Sequence, residues 1–174
     1  MIHQRRSLRL LSSQWRVATL STIVADSFPL VVGELTKLAA GDIPAVGVEA
    51  QITRTFSLKD TCAFARISGD NNPLHMDADF ALKHTSKSKP IVQGLLSASL
   101  FATIFGCTVP GAVYVKQSLR WRVPLLVDEK VIACIRVTKV RKRFVECETI
   151  CTKASDGVVV VDGYATLMLP SPSN

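Results

Sequence analysis

An α+β fold, with an antiparallel sheet wrapped around one long helix, is predicted by two features of this chain. The run 94–105 carries Leu95, Leu96, Ala98, Leu100, Phe101, Ile104 and Phe105 nearly all round a helical cylinder. A helix apolar on most sides is an interior one. Four strand-like runs follow it, at 112–123, 130–140, 144–153 and 158–169. Pro124, the turn Arg141-Lys142-Arg143 and the pair Asp156-Gly157 separate them. A buried helix followed by consecutive strands fixes the class as α+β.

The remaining elements follow from local chemistry. Residues 47–56 carry Val48, Ile52, Thr53 and Thr55 in rough alternation and read as a first strand. Ser57 caps a helix over 58–67, and Asp60 lies in its first turn, where an acid suits the helix dipole. Leu58, Cys62, Phe64 and Ala65 give that helix its apolar face. Residues 78–84 read as a short helix and 85–89 as a polar loop. Gly106 and Pro110 end the long helix. One domain over 46–170 results, preceded by an arm at 28–45 that holds Pro29, Gly33, Gly41 and Pro44, and followed by a tail at 171–174.

With 174 residues the chain has enough surface to bury for one core. Its 48% hydrophobic and 20% charged residues are globular values. No apolar run approaches the roughly 20 residues of a membrane span. The most apolar stretch, 91–105, is interrupted by Gln93, Gly94, Ser97, Ser99 and Thr103. There is no internal repeat, no Gly-x-Gly-x-x-Gly and no P-loop. Five cysteines without a Cys-x-x-Cys, and only three histidines, argue against a zinc site. No metal or cofactor is expected. An odd cysteine count within apolar patterns reads as buried free thiols in a reducing compartment.

The net charge of +7 is unevenly spread. Residues 1–27 hold Arg5, Arg6, Arg9 and Arg16 with several Ser and Thr, and no acid before Asp26. Leu8, Leu10, Leu11 and Trp15 can form an apolar helical face beside those arginines. Arg-rich, Ser-bearing, acid-poor and amphipathic composition is that of an organellar transit peptide, here a mitochondrial one. A disordered basic tail is the alternative. The last residues, Ser171-Pro172-Ser173-Asn174, are not a Ser-Lys-Leu address.

The segment Ser68-Gly69-Asp70-Asn71-Asn72-Pro73-Leu74-His75 carries the chemistry. Gly69 and the Asn-Pro step forbid a regular helix through it, so the chain turns. A turn can aim the Asp70 carboxylate and the His75 imidazole at one point, as proton transfer requires. The same residues also fit an Asx-turn, with Asp70 capping a backbone N–H and Asn72-Pro73 starting a turn. Asn72 reads as holding the turn or touching substrate.

This segment, a helix-like run before it, and Pro90-Ile91-Val92-Gln93-Gly94-Leu95-Leu96 after it resemble the MaoC-like (R)-specific enoyl-thioester hydratases and dehydratases. The likeness extends over roughly 46–170. Gly111 to Leu119, and Asp162-Gly163-Tyr164-Ala165-Thr166, look like the mitochondrial 3-hydroxyacyl-thioester dehydratase branch. The resemblance implies a hot-dog fold and a homodimer with its active site near the interface. It also implies reversible dehydration of a (3R)-3-hydroxyacyl thioester to the trans-2-enoyl thioester, with Asp70 and His75 as the catalytic pair. Hydration of enoyl-CoA in degradation and non-catalytic thioester binding are the alternatives. Two positions depart from the family. Gln93 stands where it has His, and Ala102 where a small hydroxyl residue is common two turns into the central helix.

Imidazole ordinarily titrates nearest neutrality, so His75 is the principal acid/base and Asp70 orients the water or shares the proton work. Gln93-Gly94 opens the central helix, where N–H groups and the dipole favour an anion. Gly94 lets a thioester oxygen approach the backbone, or merely permits tight packing. The substrate carrier is acyl carrier protein or coenzyme A. Candidate contacts for its acidic groups are Lys116, Arg120 and Arg122, placed on one face of a strand opposite Val115, Leu119, Trp121 and Val123, together with Arg141, Lys142 and Arg143 beside Lys139. Solvated charge is the alternative for both patches. Sparse aromatic interleaving argues against nucleic acid.

Overall fold

The computed structural model describes residues 30–38 and 42–171. The targeting segment expected at 1–27 lies outside them, as does most of the tail. Six antiparallel strands form one sheet: β1 (Val31–Gly33), β2 (Glu49–Thr55), β3 (Val113–Trp121), β4 (Lys130–Arg141), β5 (Phe144–Lys153) and β6 (Val159–Met168). Their spatial order is β1-β2-β4-β5-β6-β3. Three helices join them: α1 (Leu58–Ser68), α2 (Ala78–Thr85) and α3 (Gly94–Thr108).

The core lies between the curled sheet and α3. Along β4, Val131, Ala133, Ile135 and Val137 point inward, and along β5 Val145, Cys147, Thr149 and Cys151 do the same. They meet Leu100, Phe101, Ile104 and Phe105 of α3. This alternation is the period-two signature of a sheet with one buried face.

Three details differ from the sequence expectations. The arm contains β1, which pairs with β2 through Val31 opposite Ile52. It also contains the 3-10 turn Glu34–Lys37, whose Leu35 is buried in the core. A three-residue strand is held by its partner, not by its own pattern. Helix α3 runs through Gly106 to Thr108. One of its apolar residues, Leu95, is exposed. The third difference is a register shift between Tyr114 and Lys116. This bulge puts Val115 outward, so Tyr114, Gln117 and Leu119 are the half-buried residues of β3.

The thiol expectation is corrected in part. Cys147 and Cys151 are buried, Cys62 and Cys134 half-buried, and Cys107 exposed on the last turns of α3.

Candidate active site

Local capping sets the frame of the site. Ser57 and Asp60 form a capping box at the start of α1: the Asp60 N–H donates to Ser57 Oγ, and the Ser57 N–H donates to Asp60 Oδ2 at 2.8 Å. Gly69 closes α1 in the left-handed conformation at φ 78°, and its N–H donates to the Ala65 carbonyl. The chain then turns sharply into Asp70.

The two oxygens of Asp70 face different neighbours. Its Oδ1 accepts the Asn72 N–H at 3.3 Å, which is the Asx-turn. Its Oδ2 faces His75 Nε2 at 3.6 Å. Asn72 in turn accepts the Leu74 N–H through its side-chain oxygen, capping the 3-10 turn Pro73–His75. Asn72 is thereby occupied in holding the turn.

His75 is oriented from the other side. Its Nδ1 lies 2.7 Å from the Ile91 carbonyl oxygen. A carbonyl only accepts, so Nδ1 carries the proton and donates. In the neutral ring Nε2 is then a lone pair. That lone pair and the Asp70 carboxylate, 3.6 Å apart, are both acceptors and make no hydrogen bond to each other. Two acceptors at this spacing can hold one substrate proton or hydroxyl between them. His75 is largely buried, with 15% of its side chain exposed, whereas Asp70 is 46% exposed. The imidazole is thus a fixed group at the cleft wall and the carboxylate is open to solvent.

The N-terminus of α3 lies beside this pair. Gln93 is its cap residue but makes no side-chain cap bond, so the first turn keeps its backbone N–H groups. The Gln93 Nε2 instead donates to the Thr61 carbonyl at 3.0 Å, and its buried Oε1 has no partner. Gly94 is packed by Trp121: a Cβ there would lie 2.5 Å from the indole Nε1. The missing side chain makes room for Trp121.

Two clefts meet at this point. One, of about 310 Å³, is lined by His75, Ile91, Gly94, Ser97, Trp121 and Arg122 among others. The second, of about 480 Å³, is lined by Phe64, Ser68, Asp70, Gln93, Gly94, Leu95 and Trp121. Phe64, Ser68, Ser97 and Trp121 are wall residues that sequence reasoning did not assign to the site. The spacing of Phe64 and Ser68 on α1, four apart and leading into Asp70, was the available signal. Ala102 is exposed and lines neither cleft. The hydroxyl at the cleft belongs to Ser97, one turn into α3, whose Oγ donates to the Gly94 carbonyl at 2.8 Å.

The basic residues separate. Arg122 reaches the His75 cleft while paired with Asp162 at 2.9 Å. Arg120 and Arg122 both line an outer-face groove of about 480 Å³ with Ser118, Glu148, Asp162 and Tyr164. That groove contains neither Asp70 nor His75. Lys116 is exposed on the same strand. Arg141, Lys142 and Arg143 lie at the β4–β5 hairpin, beside the Val113 and Met168 end of the sheet. Trp121 is at the other end of β3, roughly 26 Å away at 3.3 Å per residue. Arg143 is also committed, since its guanidinium donates to the Leu169 carbonyl at 2.6 and 2.9 Å. The structure thus brings Arg122 to the site and leaves the hairpin cluster away from it.

Among the described residues no group of His, Cys, Asp and Glu is arranged to hold a metal ion.

Residues 40–161 match the MaoC like domain. The chain belongs to the MaoC-like family. It is 36% identical over 146 residues to a mitochondrial 3-hydroxyacyl-[acyl-carrier-protein] dehydratase of Arabidopsis thaliana, covering 82% of this chain and 87% of that one. It is 38% identical over 129 residues to an (R)-specific enoyl-CoA hydratase of Rhodospirillum rubrum, covering 72% and 88%. Among solved structures it superposes on an (R)-hydratase from A. caviae involved in PHA biosynthesis. The TM-score is 0.69 at 35% identity, with 73% of this chain and 98% of that one covered. The family's hot-dog fold is the curled sheet and central helix described above.

Proposed function

We propose that this protein is a hydro-lyase that interconverts (3R)-3-hydroxyacyl and trans-2-enoyl thioesters, working in mitochondrial fatty-acid synthesis. The observation that carries this reading is the pairing of an oriented imidazole lone pair with an open carboxylate, 3.6 Å apart, beside the uncapped start of α3. The mitochondrial dehydratases among the relatives support this direction and compartment, and the arginine-rich start of the chain agrees with the latter.

In dehydration, His75 Nε2 takes the hydrogen from C2. Asp70 Oδ2 accepts the hydrogen bond of the 3-hydroxyl and holds it on the same face. As the C2–H electrons form the double bond, the C3–O bond breaks. The imidazolium returns its proton to the departing oxygen, so water leaves and both groups end as they began. Charge that builds on the thioester oxygen meets the backbone N–H groups at the start of α3.

The substrate is carried by acyl carrier protein or coenzyme A, and Arg122 is the basic residue placed to meet the carrier at the cleft. The active unit is a homodimer. An open β3 edge with exposed Val113 and Val115 supports pairing with a second copy. Hydration of enoyl-CoA is the same chemistry reversed, and the relatives include enzymes named for each direction.

The deciding experiment is turnover of crotonyl-CoA, followed by loss of enoyl absorbance and repeated with a carrier-protein thioester. Activity in the parent, lost in folded Asp70→Asn and His75→Ala variants, is the expected result. A folded parent inert toward both substrates would leave a thioester-binding protein.

A further inference from the structure

Trp121 and Gly94 are the two residues common to the clefts of His75 and Asp70. An acyl thioester that touches both side chains must cross this junction. The Trp121 indole lies there with its Nε1 against Gly94, over the first turn of α3. Indole N–H is a donor only, and among the described residues this one makes no hydrogen bond. The residue as a whole is 48% exposed at the cleft junction.

We infer that Trp121 is a catalytic residue, its indole N–H donating to the thioester carbonyl oxygen beside the backbone N–H groups at Gly94. This rests on the proposed reaction. No bond to Trp121 forms or breaks. The indole keeps its proton, and the hydrogen bond strengthens as C2 deprotonation moves charge onto the oxygen. By filling the space left by Gly94, the ring also fixes where that oxygen can sit.

The test uses full-length protein carrying Trp15→Phe, which leaves Trp121 as its sole tryptophan because the chain has two. In this background Trp121→Phe keeps an aromatic ring and removes the donor. Two quantities are read: kcat and KM for crotonyl-CoA hydration, and Trp121 emission during titration with butyryl-CoA, which cannot react. Expected are a fall in kcat of about 100-fold with KM little changed, the signature of a donor used in the transition state, and a saturable emission shift. Circular dichroism checks that the Phe variant is folded. An active parent with an equally active Phe variant overturns the assignment alone, as does emission unmoved by butyryl-CoA in an active parent. A parent without turnover overturns the reaction itself, and this assignment with it.

Discussion

The side-chain amide of Gln93 donates to the Thr61 carbonyl oxygen at 3.0 Å, tying the start of the helix beneath the cleft to the first turns of the helix that leads into Asp70. The amide orientation follows from the partner, since a carbonyl needs a donor. Gln93→Leu removes this bond and the orphaned Oε1 together, and the two effects offset. Global stability is expected to fall by about 1 kcal/mol or less. Turnover is expected to fall more, by about tenfold, ~1.4 kcal/mol of transition-state stabilisation, because Asp70 loses its fixed relation to α3. Urea midpoints and kcat/KM measured on the same preparations check this.

The two oxygens of Asp70 make its substitutions informative. Asp70→Asn keeps an acceptor for the Asn72 N–H, so the turn and the melting temperature are expected to stay near those of the parent. In the proposed reaction the oxygen that would accept from the 3-hydroxyl is replaced by an NH2 donor, and kcat is expected to fall by at least about 100-fold. Asp70→Ala removes the cap as well and is expected to lower the melting temperature further. Thermal melts beside turnover separate the two roles.

The capping box at α1 has an acid limit. Burial works to raise the Asp60 pKa, but hydrogen bonds from the Ser57 backbone and hydroxyl and the charge of Arg54 outweigh it and hold the group below its usual value. A lowered folded-state pKa stabilises the fold fully above the ordinary carboxylate range. That contribution is lost as pH falls through the folded value. Asp60→Asn is expected to cost about 1 kcal/mol at neutral pH, the usual worth of a cap, and less in strong acid. Denaturant midpoints from pH 7 down to pH 3 would show the two curves converging.

Thiol labelling reports the layers of the fold. Burial pushes Cys147 and Cys151 up to about 12. Both are expected to resist a short iodoacetamide pulse at pH 8 until the protein is denatured. Cys107 is exposed and is expected to label first. Peptide mass spectrometry after the pulse checks the order.

Gly163 admits no side chain. A Cβ there would lie 1.8 Å from the Ser118 carbonyl oxygen, a backbone atom of the neighbouring strand. Gly163→Ala is expected to destabilise the protein by about 3 kcal/mol, and to lower activity by shifting β3, the strand that ends in Trp121. Thermal melting and crotonyl-CoA turnover check both effects.

The turn 68–75 was legible because Gly69 and Pro73 restrict the backbone locally, whatever packs around them. The buried helix and the four long strands were legible from periodicity. Strand β1 was not, because three residues gain their structure from pairing with β2. The phase of β3 was hidden by the bulge at Val115, which no composition signal marks. Trp121 was legible only as a strand residue, since its place over Gly94 depends on β3 reaching the start of α3. The distance of the hairpin arginines from the cleft was not legible, because sequence records charge and not distance. Arg143 is spent on the Leu169 carbonyl.

The strand order also has a temporal meaning. β3 is held by β6, its only sheet neighbour among the described residues, although β4 and β5 come between them in sequence. During synthesis, Asp70 and His75 emerge with their local turn well before residues 159–168 leave the ribosome. Only then can β3 dock and bring Trp121 to Gly94. Such late, non-local closure is slow relative to local turns and helices. A nascent or C-terminally truncated chain would therefore hold Asp70 and His75 without the Trp121 wall. Assembly of the intact site thus reports that the last strand has arrived.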